Sequence, residues 1–263
     1  MAKLTLAAKT AEPSTDVHRT PAVARAATVL RLLVGQRTPL GVTEIARRVG
    51  LVPSTCLHVL RALVYEGLVT FDSQAKTYRI GVGLFTLVRD VMASTEFPQA
   101  VQPILDRFAI DYEVTALALE LDHHDRLVVV GISRTSNYVT LHIKIGTSFP
   151  SLINATGSQA SSLSNLGREE LREQFEALGW ERPPTFEDWT AEVERARTEG
   201  IAVDRGNYFR DLSIASTLLP IGMDRVPRAI ALIGFEHYMT ERMIRQLKDE
   251  LLRAAQAVAA RLH

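Results

Sequence analysis

The sequence contains a single cysteine, Cys56, few aromatic residues and no long hydrophobic segment. One cysteine excludes an internal disulfide and is typical of a protein in a reducing compartment. No apolar run approaches the roughly 20 residues of a membrane span, and Met1 to Pro21 lack the apolar stretch of a secretory signal. We therefore expect a cytoplasmic protein with no membrane partner, in which residues 1–20 form a disordered N-terminal arm.

The formal net charge is zero, but the charges are unevenly distributed along the 263 residues. Residues 1–92 carry twelve Lys and Arg against six Asp and Glu, a net charge of +6. The remainder carries eighteen against twenty-four, a net charge of −6. A chain of this length favours two domains, and a basic N-terminal part indicates that this part meets a polyanion.

Hydrophobic periodicity predicts three short helices near the N-terminus, over residues 22–36, over residues 42–49 and from Pro53 onward. Gly50 is suited to end the second helix, and Pro53 to begin the third. The third helix has an inner apolar stripe that includes Cys56, which we therefore expect to be a core residue. Two β-rich runs, residues 68–71 and 77–80, follow as a hairpin. This order predicts a winged helix-turn-helix.

The rest of the chain mixes helix and strand signals. Residues 81–94 predict a connecting helix, and Glu96-Phe97-Pro98 predicts a break between domains. Beyond the break, β-rich runs at residues 114–121, 126–132, 138–143, 201–204, 215–219 and 229–235 alternate with helical patterns at 101–109, 155–163, 168–178, 191–199 and 240–262. These patterns predict an α+β domain with a largely antiparallel sheet and flanking helices.

Candidate DNA-binding residues lie on the third helix and on the wing. Ser54 and Thr55 occupy the first turn, opposite the inner stripe, where hydroxyls and free backbone N–H groups can bind phosphates or base edges. His58 and Arg61 extend the same face, as in a helix that enters the major groove. Three cations are suited to phosphate contact: Lys76 and Arg79 on the wing, and Arg25 on the first helix.

These motifs resemble the IclR-type bacterial transcriptional regulators. The resemblance rests on LGVTEIARRVGL at residues 40–51, Ser54-Thr55, Glu66-Gly67-Leu68, KTYRIG at 76–81 and GIAVD at 200–204, and it extends over nearly the whole chain. It implies a C-terminal GAF-like effector-binding domain. His58 departs from the family, which commonly has arginine there. Since imidazole lacks the guanidinium fork that binds guanine, base preference at this position is expected to differ.

The resemblance also implies a set of pocket residues. Members of the family that sense small keto-acids place backbone amides at the position of Ala155–Thr156 and a thiol at that of Ile214. With an apolar residue replacing the thiol, an aromatic or otherwise apolar organic acid fits better than a two-carbon acid. Thr156, Ser213 and Ser216 are the expected polar groups, and the full predicted set is Tyr138, Leu141, Phe149, Ala155, Thr156, Asp204, Leu212, Ser213, Ile214 and Ser216.

Two alternative chemistries deserve comparison. Asp122-His123-His124-Asp125 offers potential metal ligands, but adjacent histidines in a turn are expected to point apart. Ser158, Asp204 and His142 form a conceivable triad, but no nucleophile-elbow pattern surrounds any serine. We therefore predict no metal, no cofactor and no catalytic residues. The rival hypotheses remain a metal- or serine-dependent hydrolase with an accessory DNA-binding domain, and a module whose winged helix binds protein.

The favoured hypothesis is an effector-responsive repressor or activator of a catabolic operon. It would bind a palindromic DNA operator as a homodimer or homotetramer. The expected domains are the arm at 1–20, a winged helix-turn-helix at 21–81, a linker helix at 82–96 and an effector-binding domain at 97–263.

Overall fold

The computed structural model describes residues 20–134, 143–220 and 226–262. The predicted N-terminal arm and the predicted strand at 138–143 thus lie almost wholly outside the described residues. The chain divides into two compact units, with the division between Thr95 and Glu96. None of the helices within the described ranges is long and apolar enough to cross a membrane.

The N-terminal unit is built from short helices and a small antiparallel sheet with strand order β1-β3-β2. In chain order its elements are α1 (Pro21–Val34), β1 (Leu40–Gly41), α2 (Val42–Arg48), α3 (Pro53–Tyr65), β2 (Val69–Asp72), β3 (Thr77–Ile80) and α4 (Gly83–Ser94). The predicted winged helix-turn-helix is therefore present. Strand β1 was not predicted, because two residues are too few to show an alternating pattern.

The core of this unit joins the three helices to the wing. Val29 of α1, Ile45 of α2, and Cys56 and Leu60 of α3 are completely buried, and they pack with Val69 of β2. Burial raises the pKa of the Cys56 thiol, which disfavours the thiolate that a nucleophile requires. The prediction that Cys56 is a core residue is confirmed.

The wing turn is closed by Asp72. Its Oδ1 accepts the backbone N–H groups of Gln74 and Ala75 at 2.9 and 3.0 Å, and these hydrogen bonds lower the pKa of the Asp72 carboxyl. Lys76 completes the turn with a φ of 54°, in the left-handed region that single turn residues occupy. The strands then pair in register from Asp72–Thr77 to Val69–Ile80.

The C-terminal unit is an α+β domain around a six-stranded antiparallel sheet with the order β6-β5-β4-β9-β8-β7. Two 3₁₀ turns, Ser151–Ile153 and Ser162–Asn165, flank the short helix α6. In chain order the helices and strands are α5 (Glu96–Tyr112), β4 (Thr115–Leu121), β5 (Arg126–Ile132), β6 (Ser148–Pro150), α6 (Ala155–Ala160), α7 (Arg168–Glu176), α8 (Phe186–Glu199), β7 (Ala202–Arg205), β8 (Leu212–Leu218), β9 (Arg228–Phe235) and α9 (Glu241–Ala259).

The two faces of the sheet bury different clusters because side chains alternate along each strand. On β9, Ile230 and Leu232 pack against α5 and α9, together with Leu105 and Leu251. The intervening residues of β9 point to the other face, where they meet apolar residues of β4, β5 and β8. The long amphipathic helix predicted near the C-terminus therefore covers only one face of the sheet.

The chain breaks next to the predicted position, since α4 ends at Ser94 and α5 begins at Glu96, but Glu96-Phe97-Pro98 themselves are helical. Pro98 lies in the first turn, where the missing N–H has no intrahelical partner to lose. Phe97 is fully buried and anchors this turn in the core. Helix α8 also starts earlier than predicted, because the Thr185 hydroxyl caps it by accepting the N–H of Asp188 at 3.0 Å.

Gly157 allows α6 to pack closely on the preceding 3₁₀ turn. A Cβ at this position would lie 2.4 Å from the Ser151 carbonyl oxygen and 2.7 Å from Leu127 Cδ1. We expect Gly157→Ala to lower the free energy of unfolding of this domain by about 1–3 kcal/mol, measured by urea denaturation. Gly179→Ala is the matched control, because a Cβ there meets nothing within 4 Å. Equal stability of the two variants would contradict this account.

Candidate functional site

Helix α3 presents one continuous polar stripe to solvent. Ser54, His58 and Arg61 are exposed and follow one another at helical spacing, while Thr55 is half-buried at the side of the stripe. Pro53 begins the helix and no side chain caps it, so the N–H groups of its first turn remain available. Cys56, Leu60 and Leu63 hold the opposite face in the core. The stripe is thereby fixed in orientation.

Tyr65 extends this stripe and was missed by the sequence reasoning. It lies one turn beyond Arg61, and its side chain is 89 % exposed. Its spacing of four residues from Arg61 places it on the polar face, and this spacing is the signal that could have found it. Its hydroxyl is suited to donating a hydrogen bond to a phosphate.

The cations of the N-terminal unit differ in whether a carboxylate already holds them. Arg47 and Arg48 are both tied to Glu44, through contacts of 2.7 and 2.6 Å, and these hydrogen bonds lower the pKa of Glu44 to about 2. In contrast, the four cations predicted to contact DNA are exposed and form no salt bridge with any described residue: Arg25, Arg61, Lys76 and Arg79. These four are therefore available to contact DNA.

The C-terminal unit encloses a mainly apolar cavity on the sheet face opposite α5 and α9. Its volume is about 30 Å³, whereas a cavity that accommodates benzene is about 150 Å³. An aromatic ligand therefore requires the walls to move apart. The lining residues are Leu117, Leu119, Leu127, Phe149, Ile153, Asn154, Thr156, Phe209, Ile214, Ser216, Ala229, Ala231 and Ile233.

Four of the predicted pocket residues lie on this wall: Phe149, Thr156, Ile214 and Ser216. Leu212 packs beside them against the same cluster. Asp204 is the register partner of Ile214 on the neighbouring strand, so both side chains lie on the cavity face of the sheet. Tyr138 and Leu141 lie outside the described residues.

Ser213 does not face the cavity, and its prediction as a pocket residue is wrong. It pairs with Gly234, where an added Cβ would meet Met239 and Val114 on the helix-covered face. Because neighbouring residues of a strand point to opposite faces, Ser213 and Ile214 belong to different clusters.

At the Ala155–Thr156 turn, one of the two predicted backbone amides already has a partner. The side chain of Ala155 packs against Ala196 and Ala202, away from the cavity. The backbone N–H of Thr156 donates to Asn154 Oδ1 at 2.8 Å, so this amide is not free for a carboxylate. The polar end of the cavity consists instead of the side chains of Asn154, Thr156 and Ser216.

An aromatic chain leads away from the cavity. Phe149 contacts Phe209 edge-on, with ring centroids 6.1 Å apart, and Phe209 contacts Tyr208 at 4.6 Å. Tyr208 contacts Trp180, which packs on Phe175 in a separate cluster of α7 and α8. Phe209 lies in the turn between β7 and β8 rather than in a strand.

The residues considered for metal binding and catalysis can be compared only where the structure describes them. His123 and His124 do not point apart as predicted, since their ring centroids are 3.9 Å apart. No group of three His, Cys, Asp or Glu in the described part of the chain is arranged to hold a metal. The Ser158 hydroxyl donates to the Asn154 carbonyl at 3.0 Å, and His142 lies outside the described residues.

Asp204 is buried beside the cavity with one oxygen, Oδ2, that has no hydrogen-bond partner in the described structure. Burial raises the pKa of this carboxyl from 3.8 to about 6, although the backbone N–H groups of Tyr208 and Asn207 partly oppose the shift. The carboxyl thus holds the turn that carries Phe209.

The raised pKa of Asp204 makes stability depend on pH. The folded state favours the neutral carboxyl, and this contribution to the free energy of unfolding is fully present below pH 3.8. It is lost as pH rises through about 6, a change of roughly 3 kcal/mol. We expect Asp204→Asn to gain stability relative to the natural chain by about this amount between pH 4 and pH 7. Urea denaturation of both proteins across this range measures the difference. A difference that does not vary with pH would refute the assignment.

Comparison with known proteins identifies both units. The profile of the "IclR helix-turn-helix domain" matches residues 22–73, and that of "Bacterial transcriptional regulator IclR C-terminal" matches residues 90–260. The glycerol operon regulatory protein of Streptomyces coelicolor is 28 % identical over 241 residues, which are 89 % of this chain and 92 % of that protein. The transcriptional repressor AllR of Escherichia coli K12 is 24 % identical over 226 residues, 84 % and 82 % of the two chains.

Solved structures show the same fold. An IclR regulator from Alicyclobacillus acidocaldarius has a TM-score of 0.76 at 22 % identity, covering 94 % of this chain and all of that one. An IclR homologue from Microbacterium hydrocarbonoxydans, solved with 4-hydroxybenzoate, has a TM-score of 0.69 at 18 % identity, covering 92 % and 98 %. The resemblance and the α+β fold predicted from sequence are confirmed, and this chain belongs to the IclR family of bacterial transcriptional regulators.

Proposed function

We propose that this regulator binds a palindromic operator of a catabolic operon in the cytoplasm and changes its DNA affinity when it binds a small aromatic acid. The observation that carries the proposal is the pairing of two surfaces in one chain. One is the stripe of α3 with unpaired cations around it, and the other is the apolar cavity with a polar end. Named relatives include a regulator of a glycerol operon, which supports a role in catabolic control.

On the DNA side, Ser54, Thr55, His58 and Arg61 read base edges or adjacent phosphates, with Tyr65 at the end of the stripe. Lys76, Arg79 and Arg25 hold the sugar–phosphate backbone. His58 offers a single donor or acceptor in the plane of a base edge, so the contact to guanine differs from that of an arginine fork.

A second copy of the chain explains how a small reading head gains affinity, because two units related by a two-fold axis contact two half-sites. Exposed apolar side chains on and before α4 support this assembly: Val82, Phe85, Leu87 and Val88 are 81, 71, 56 and 48 % exposed. Such a row is unusual on a monomer surface. We propose a dimer or a tetramer on this basis.

On the sensor side, the branched and aromatic walls of the cavity favour a flat apolar body, and Ile214 occupies the position that carries a thiol in keto-acid sensors. The homologue solved with 4-hydroxybenzoate shows that this fold accommodates an aromatic acid in another protein. The ligand acts only through a difference in affinity between two arrangements of the protein.

The reading helix is tested by replacing Ser54 and Thr55 together with alanine. We expect specific operator binding to weaken by about 1–3 kcal/mol, because base or phosphate contacts are lost, as measured by fluorescence anisotropy. Thr28→Ala is the control, since that exposed hydroxyl donates to Ala24 O within α1. Unchanged operator affinity in the folded double variant would exclude α3 as the reading helix.

The wing is tested through salt dependence. Arg79→Gln should weaken binding to all DNA sequences alike and reduce the slope of log affinity against log salt by about 0.9 per phosphate contact, doubled in a dimer. Arg47→Gln is the matched control, because Glu44 already holds that cation, and its slope should change less. A variant of Arg79 with altered base preference and an unaltered slope would show that the wing reads bases.

A further inference from the structure

The amide of Asn154 is the least satisfied polar group of the cavity wall. Asn154 lies between the 3₁₀ turn Ser151–Ile153 and α6, and only 7 % of it is exposed. Its Oδ1 accepts the backbone N–H of Thr156 at 2.8 Å and the Ser216 hydroxyl at 2.7 Å. Because a backbone N–H requires an acceptor, these bonds fix which way the amide faces.

The orientation leaves Nδ2 of Asn154 without a hydrogen-bond partner among the described residues, although the atom is buried. Buried donors are normally paired, so each exception calls for an explanation. Asn154 lines the cavity, and a ligand acceptor in that space would provide the missing partner.

The neighbouring hydroxyls do not offer further donors. Thr156 Oγ1 donates its proton to the Ser216 carbonyl at 3.1 Å. The single proton of Ser216 Oγ has two acceptors within reach, Asn154 Oδ1 at 2.7 Å and Thr156 Oγ1 at 2.9 Å. Among the side chains in the described part of the wall, Asn154 Nδ2 is therefore the one donor without an acceptor.

The charge of the surroundings narrows the ligand class. Among the described residues that line the cavity there is no Lys, Arg or His, and the carboxyl of Asp204 lies on the same face of the sheet. The site therefore recognises an oxygen by hydrogen bonding rather than by ion pairing, and the remaining walls are apolar.

We infer that Asn154 selects the effector: its Nδ2 donates to a carbonyl or carboxylate oxygen attached to an aromatic body that lies between Phe149 and Ile214. This inference rests on the proposed function, and it assigns the specificity of the sensor to a residue that the sequence analysis did not select. An aromatic hydrocarbon, which has no acceptor, gains nothing from this contact.

The test titrates the full-length protein with benzoate, methyl benzoate and toluene by calorimetry. Asn154→Asp keeps the acceptor for Thr156 and Ser216 but replaces the donor with an oxygen. We expect it to weaken benzoate and methyl benzoate by about 10-fold or more and to leave toluene within about twofold. Benzoate and methyl benzoate distinguish a carboxylate from a neutral carbonyl as the preferred oxygen.

Two further variants keep the result interpretable. Asn154→Ala removes the donor without adding charge, so it reports the loss of the donor if the aspartate variant does not fold, although it also removes the N-cap of α6. Ser213→Ala removes another buried, unpartnered polar atom on the opposite face, and its affinities should match the natural chain. Thermal unfolding without ligand checks that each variant is folded.

The outcomes separate the inference from the proposed function. Unchanged benzoate and methyl benzoate affinity in both Asn154 variants would overturn the inference and leave an aromatic-acid sensor standing. An equal loss for toluene would also overturn it, because the residue would then act on cavity shape alone. If the natural chain binds the operator but none of the three probes, both the inference and the sensor half of the proposed function fail, while its DNA-binding half stands.

Discussion

The pairing of β9 with β4 on one side and β8 on the other is the constraint on which the sensor domain depends. It forces alternate residues of β9 into two unlike environments. Ile230 and Leu232 fill the space under α5 and α9, whereas Ala229 and Ala231 leave space on the other face. The cavity lies where these small side chains leave the sheet face unfilled. The helices on the opposite face already stabilise the sheet, so the cavity removes little of the packing of the domain's core.

The polar end of that cavity depends on an equally local constraint. Gly157 allows α6 to approach the Ser151 carbonyl more closely than any residue with a Cβ, and this approach places Asn154 at the boundary between turn and helix. There one side-chain oxygen caps the helix and binds Ser216 of β8. Because Asn154 Oδ1 accepts from Thr156 and Ser216, the geometry that stabilises the turn leaves Nδ2 without an acceptor among the described residues.

The parts of the molecule that sequence predicted well are those governed by short-range rules. Periodicity and turn residues were enough for α3 and its buried Cys56, and for the two strands of the wing. Periodicity failed where two rules compete at one residue. Pro98, considered alone, predicts a helix break, but a proline is tolerated in the first turn of a helix. Ser213 was predicted as a pocket residue because it lies next to Ile214, although neighbouring strand residues point to opposite faces. Asn154 carries no signal of its own, because an asparagine before a helix is an ordinary cap.

In the N-terminal unit, a count of charges from the sequence also predicts less than the structure shows. A count of residues assigns this region a net charge of +6, as if each cation were equally available to DNA. The structure divides them, since Glu44 holds Arg47 and Arg48 while Arg61 and Arg79 form no salt bridge with a described residue. A paired arginine has its charge partly neutralised by the carboxylate, so its net gain on binding a phosphate is smaller. The electrostatic field that attracts DNA depends on the total charge of the unit. The direct contacts to phosphates depend on the cations that have no carboxylate partner.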